Sequence, residues 1–334
     1  MPIDALVYLS MTVFSLPIAG IRMFKISSLS LSIGMSAIAA AALTACGGGS
    51  DDGVASTREV ALEFVAVAGH TPVQCGTLVS GLGTGSAPAQ VKDLRFYISN
   101  VALLQANGTE TPLTLSANDN WNLTAGANQI TLIDLENATG ACSNGTPATN
   151  AVIRGTVPAG NYVGVKLTMG VPFALNHTLY SDVTTAKPPL DIGAMAWSWQ
   201  SGRKFTKIEL TDPEGATGSW TAKTFAVHLG STGCVGNPAT GETVQCKAPN
   251  RMEARLTSFN PDQQKIALDV QALVAGNDVT KNLGGAAGCM SGGTDPECAG
   301  VFRAMAIDWK ADGTGTGLPI AAGASQTIFR PIAR

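Results

Sequence analysis

In Met195-Ala-Trp197-Ser-Trp199 two tryptophans stand two residues apart. On a β-strand that spacing sends both indoles out of one face. His177 lies upstream and His228 downstream, so two of the three histidines in the chain flank the pair. Imidazole nitrogens bind copper, zinc and other transition metals, and an indole is open to oxidation. The set points to a metal bound beside a redox-active ring. A plainer reading competes with it. Strand tryptophans commonly pack cores and sheet faces, and a histidine is more often a hydrogen-bonding residue than a ligand. These residues by themselves describe an exported β-rich domain with a candidate metal site.

Other chemistries find little support. No Gly-x-Ser-x-Gly lies downstream of the leader, so a nucleophile elbow is not indicated. Gly81-Leu-Gly-Thr-Gly-Ser86 lacks the Lys-Ser/Thr that a phosphate loop needs. Asp93, Asp134, Asp191 and Glu209 read as scattered carboxylates with no useful spacing. The net charge of −3 offers no basic footprint for nucleic acid. A binding protein is expected rather than an enzyme. A metal-free surface scaffold or interaction module, suggested by the Thr- and Gly-rich composition, is the alternative.

The positioning elements begin after a leader. Lys25, the apolar run Leu29 to Leu43 and Leu43-Thr-Ala-Cys46 describe a secretory signal that ends in a sequence resembling a bacterial lipobox. Segment 1–45 is therefore read as a lipoprotein signal, with Cys46 as the lipidated residue. Residues 46–57, rich in Gly, Ser and Asp, form a flexible tether. Gly47 after the cysteine favours the outer membrane, facing the periplasm. Residues 58–334 are read as a single domain.

Six cysteines remain beyond Cys46: Cys75, Cys142, Cys234, Cys246, Cys289 and Cys298. In an oxidising compartment three disulfides are expected. The local pairs Cys234–Cys246 and Cys289–Cys298 are favoured, which leaves Cys75–Cys142. The rival use of His228, Cys234 and Cys246 as zinc ligands is disfavoured because no Cys-x-x-Cys occurs.

Alternating apolar patterns predict strands over 60–67, 93–104 with a bend near Asn100 and 129–135, and a strand, a turn and a second strand over 151–169. Segments 250–259 and 265–270 are expected to pair as a hairpin across Asn260-Pro261-Asp262, and 327–331 to form a last strand. Leu268 to Ala275 has room for one or two helical turns. Closely spaced strands divided by Gly, Pro and Asn turns predict an all-β, antiparallel, disulfide-stapled sandwich of jelly-roll or Ig-like type.

Several motifs occur in order: Arg95-Phe-Tyr-Ile-Ser99, Leu132-Ile-Asp-Leu-Glu136, Gly170-Val-Pro-Phe-x-x-Asn-His177, Met195-x-Trp-x-Trp199, Lys204-Phe-x-Lys-Ile208, His228-Leu-Gly-Ser-Thr-Gly-Cys234 and Gly288-Cys-Met290. Over roughly residues 60–310 the chain resembles the MbnP-like copper-binding proteins, a bacterial family of periplasmic or lipid-anchored β-sandwiches. The resemblance implies copper held by His177 and His228. It also implies a MauG-like di-haem cytochrome c peroxidase as partner, which oxidises a tryptophan, Trp197 or Trp199, to kynurenine. Asn176, Ser231 and Thr232 would fix the histidine tautomers, and Met169, Met195 and Met290 would offer soft sulfur. Some relatives carry Trp-x-His where this chain has Trp197-Ser-Trp199, which leaves His70 as a third ligand candidate.

Overall fold

The computed structural model of the chain describes residues 56–198, 201–213, 220–237, 242–320 and 325–334. All of them fall within one compact unit, Gly53–Arg334. The signal segment, Cys46, all of the tether before residue 56, and Trp199 lie outside the described residues. Among the described residues no helix is long and apolar enough to cross a membrane.

The chain enters on β1, Thr57–Ala68, whose alternating residues Val60, Leu62 and Phe64 are buried. The spine of the molecule is the 18-residue β2, Ala87–Leu104. It is followed by β3 (Asn128–Asp134), β4 (Val152–Pro158) and β5 (Gly164–Met169). Next come β6 (Thr206–Thr211), β7 (Thr224–Leu229) and the hairpin strands β8 (Thr232–Asn237) and β9 (Glu242–Ala248). The chain closes with β10 (Met252–Leu256), β11 (Gln264–Asp269), the short β12 (Gly288–Cys289) and β13 (Phe329–Ala333).

Two sheets result. The first runs β13-β11-β1-β4, and the second runs β10-β5-β2-β6-β7-β12 with β3 also paired to β2. Pairing is mostly antiparallel, but β1–β11 and β7–β12 are parallel. The sheets meet through Phe64 on β1, Phe96 on β2 and Phe329 on β13, with ring centroids 5.7–5.9 Å apart. Such tilted aromatic contacts add to the burial of the rings themselves.

Segments 250–259 and 265–270 do not form the expected hairpin. β10 pairs with β5 in the second sheet, while β11 pairs with β1 and β13 in the first. The intervening Asn260-Pro261-Asp262 carries the chain from one sheet to the other. Both segments alternate as strands should, and alternation identifies faces rather than partners. The helical turns expected after Leu268 are present as α1, Val270–Val274, capped by the Asp269 carboxylate, which accepts from the Ala272 amide. Sequence patterning gives no sign of two other helices, the single turn Phe173–Asn176 and α2 (Cys298–Ala304).

All three expected disulfides form: Cys75–Cys142, Cys234–Cys246 and Cys289–Cys298. The bend expected near Asn100 is a left-handed residue, with φ of 52°. Pairing with β5 slips there, from Lys166↔Ala102 to Thr168↔Ser99, which marks a bulge. Asn tolerates this conformation and β-branched residues do not. Asn100→Val is therefore expected to lower stability by about 1–2 kcal/mol, whereas Asn100→Gly stays near wild type. Urea denaturation of the two variants checks the difference.

Candidate metal centre

On β2, Leu94, Phe96 and Ile98 are buried in the core. The period of two sends Arg95 and Tyr97 to the opposite face. Register then assembles a charged layer on that face. Lys207 on β6 stands opposite Arg95 on one side and His228 of β7 on the other. Glu209 stands opposite Asp93. The Asp93 carboxylate accepts from Arg95, with Nε–Oδ1 at 2.8 Å, and from Lys207. Lys207 also reaches Glu209 at 3.1 Å, and Arg95 lies 3.8 Å from Glu136. Asp93, Asp134 and Glu209, which look scattered along the chain, are thus collected by strand register, whereas Asp191 lies on an exposed turn.

His228 is 8% exposed, and its Nε2 lies 2.8 Å from Oε1 of Glu209. Burial pulls the histidine below its usual pKa and outweighs the nearby carboxylate, which raises it. Burial pushes the Glu209 carboxyl up, but the hydrogen bond from His228 and the charge on Lys207 outweigh it and hold it at about 2. The pair is therefore a neutral imidazole donating Nε2–H to an ionised carboxylate. Nδ1 then carries the lone pair. A histidine oriented through its second nitrogen by a carboxylate is the usual arrangement around protein-bound metals.

Segments 171–198 and 201–205 lie over this face. Tyr97 Oη donates to Pro189 O at 2.8 Å, and Ser99 Oγ donates to Gly170 O at 2.8 Å. Arg203 is the deepest anchor, 1% exposed. Its guanidinium donates to Leu190 O (2.8 Å), Asn176 O (3.1 Å), Thr178 O (2.6 Å) and Thr178 Oγ1 (2.9 Å). Its own amide donates to Asn176 Oδ1 at 2.7 Å. That bond orients the Asn176 amide so that Nδ2 faces His177 Nε2 at 3.2 Å. Nε2 of His177 is then the acceptor. The His177 ring packs on Phe173 with centroids 4.9 Å apart, and its Nε2 lies 3.4 Å from Cys246 Sγ.

Trp197 lies between the two histidine segments. Its indole covers Gly230, two residues beyond His228; a Cβ there would meet the ring at 2.3 Å and Arg203 O at 2.9 Å. Its amide donates to Gly202 O at 2.9 Å, and Gly202 packs on the Asn176 side chain beside His177. A continuous run of contacts, from His177 through Asn176, Arg203 and Gly230, thus reaches the segment that carries His228. Trp197 and Ser198 do not lie in a strand but sit in a loop beyond the bridge Ala196↔Arg203, and Trp199 is outside the described residues. The loop geometry wins because Gly202, with φ of 80°, turns the chain back.

Other expected contributors are placed elsewhere. Ser231 Oγ donates to Pro249 O, and Thr232 Oγ1 accepts from Asn250. Orientation of His228 comes from Glu209 instead, and its carbonyl accepts from Ser291 Oγ at 2.8 Å. Met169 and Met195 are fully buried in the core. His70 is exposed on the turn after β1, in the first sheet. The zinc alternative is overturned, since Cys234 and Cys246 are joined to each other and it is His177 that lies beside them.

Two expectations follow from this geometry. Lys cannot reproduce the forked donation of Arg203, so Arg203→Lys leaves buried carbonyls unpaired and lowers stability by about 1–3 kcal/mol, read as a shift in the urea midpoint. Asp134, opposite Arg95, is buried, and burial pushes its carboxyl up to about 7 against the pull of Arg95. A folded pKa above the unfolded one means that stability falls as pH rises through this window. Asp134→Asn should therefore raise Tm relative to wild type at pH 8 and give no gain at pH 4.

The comparisons agree with this architecture. The MbnP family model matches residues 57–291. The solved structure of MbnP from Methylosinus trichosporium is similar, with 34% sequence identity and a TM-score of 0.71; the alignment covers 83% of this chain and 99% of that one. A comparison with curated proteins found no match. The extent of the family match and the shared fold show that this chain belongs to the MbnP family.

Proposed function

We propose that the chain is an exported, lipid-anchored protein that binds copper through His177 and His228 beside a tryptophan. In this reading a MauG-like di-haem peroxidase oxidises that tryptophan to kynurenine. The observation that carries the proposal is the buried, neutral His228 whose Nε2–H is given to Glu209, leaving Nδ1 as a donor. A neutral imidazole fits copper in either common oxidation state. Membership of the MbnP family supports the choice of copper.

His177 is half-buried and is oriented by Asn176 and Phe173. Copper would supply a soft, redox-active cation at this point. The residues themselves hold and orient the imidazoles, and the covering segment limits water around His228. Trp197, packed between the two histidine segments, is the favoured site of oxidation among the described residues, with Trp199 as its alternative. Leu43-Thr-Ala-Cys46 and the Gly-rich segment after it support attachment to the outer membrane on a tether. In this reading the role is binding rather than turnover.

His228→Ala is expected to abolish copper binding by the oxidised protein in a chelator competition titration. Glu209→Gln should weaken binding by about 10–100-fold through loss of the orienting carboxylate. Co-expression with the di-haem partner should give the mass of a kynurenine-containing peptide spanning Trp197. Unmodified indoles together with copper affinity equal in wild type and His177→Ala/His228→Ala would leave only a metal-free scaffold.

A further inference from the structure

The hairpin β8–β9 holds a second group of soft donors that the two-histidine reading does not use. Cys234 and Cys246 face each other across the hairpin and form a disulfide. The Sγ of Cys246 lies 3.4 Å from Nε2 of His177. The imidazole nitrogen and both sulfurs lie within 4.8 Å of one another. The Asn176 amide makes Nε2 the unprotonated nitrogen, so the lone pair is on the atom nearest the sulfur.

This bridge differs from the other two. Cys234 and Cys246 are both half-buried, as is His177, whereas each other bridge has a sulfur in the core cluster: Cys289 and Cys298 in one, and Cys142, joined to the half-buried Cys75, in the other. Exposed disulfides are the ones open to exchange. The hairpin also forms a two-stranded sheet of its own, paired with neither large sheet. Opening the bridge leaves the strand pairing of the core untouched.

We propose that the Cys234–Cys246 disulfide is a reducible gate, and that its reduction creates with His177 a three-donor site for Cu(I). A dithiol reductant gives two electrons and two protons to the bridge and is itself oxidised to a disulfide. Two thiols result. Cu(I) then binds both sulfurs and Nε2 of His177, and the thiol protons pass to solvent. Thiolate is the side-chain donor that best suits Cu(I), and imidazole completes the set. The site shares His177 with the two-histidine reading and does not need His228.

The test uses the full chain, reduced anaerobically with dithiothreitol, desalted, counted for free thiols and titrated with Cu(I) against bathocuproine disulfonate. In His228→Ala, which lacks the two-histidine site, reduction is expected to add one Cu(I) equivalent with ultraviolet thiolate-to-copper absorption, and the same absorption should appear in reduced wild type. The added equivalent should vanish in Cys234→Ser/Cys246→Ser and bind more weakly in His177→Ala. Circular dichroism establishes that each variant is folded. A bridge that resists dithiothreitol, two free thiols with no thiolate-bound copper, or a gain that persists in the double serine variant each overturns the proposal. The two-histidine reading is tested on the oxidised chain, so the two ideas fail separately.

Discussion

A buried guanidinium held by backbone carbonyls holds the site together. Arg203 is satisfied by carbonyl oxygens of Asn176, Thr178 and Leu190 and by the Thr178 hydroxyl. These acceptors all belong to the segment that covers the outer face of the second sheet. Leaving any one of them unpaired in the interior costs about 1–3 kcal/mol, so the peptide around Arg203 has few alternatives. The same anchor fixes the Asn176 amide and, through it, the orientation of His177. It also sets the loop that lays Trp197 over Gly230.

Closing that segment over the sheet changes the chemistry beneath it. Exposed ion pairs are worth roughly 0–1 kcal/mol, but Asp93, Arg95 and Glu136 are almost wholly withdrawn from water. Breaking a buried pair by removing one partner costs about 3–5 kcal/mol. Net stability is not what such a layer provides. It provides fixed orientation, because Asp93, Arg95, Lys207 and Glu209 are each positioned by register on a strand and by at least one partner of opposite sign. His228 takes its tautomer from this layer through Glu209. Had Glu209 been solvated, its hold on the imidazole would be weak and exchangeable.

The two sides of the molecule divide the work. The Phe64, Phe96 and Phe329 contact joins the sheets through the interior. Two of the disulfides tie peripheral segments to buried ends, Cys142 beside β2 and Cys298 at the start of α2. The third sits on a hairpin outside both large sheets, next to His177. Rigidity is thus concentrated in the core and beneath His228, whereas the His177 side is bordered by an element with few ties to it.

The local pattern of residues was enough to identify β1, β3 and β4, the bend at Asn100, the helical turn after Asp269 and the three cysteine pairs. Each depends on short-range alternation, a residue that accepts a left-handed backbone, or closeness in the chain, except Cys75–Cys142, which was what the two local cysteine pairs left over. The motifs around His177, Trp197 and His228 were equally legible. The partner of β10, the loop that replaces the strand at Trp197, and the roles of Glu209 and Arg203 were not. Alternation says which face a side chain occupies, and says nothing of which distant strand lies opposite. Glu209 meets His228 only because β6 and β7 pair in one register, and Arg203 finds its acceptors only when a segment some 25 residues upstream folds over it. The chain by itself determined which residues have the right chemistry; tertiary structure decided which of them share a neighbourhood, because pairing and burial are properties of contacts between segments far apart in the chain.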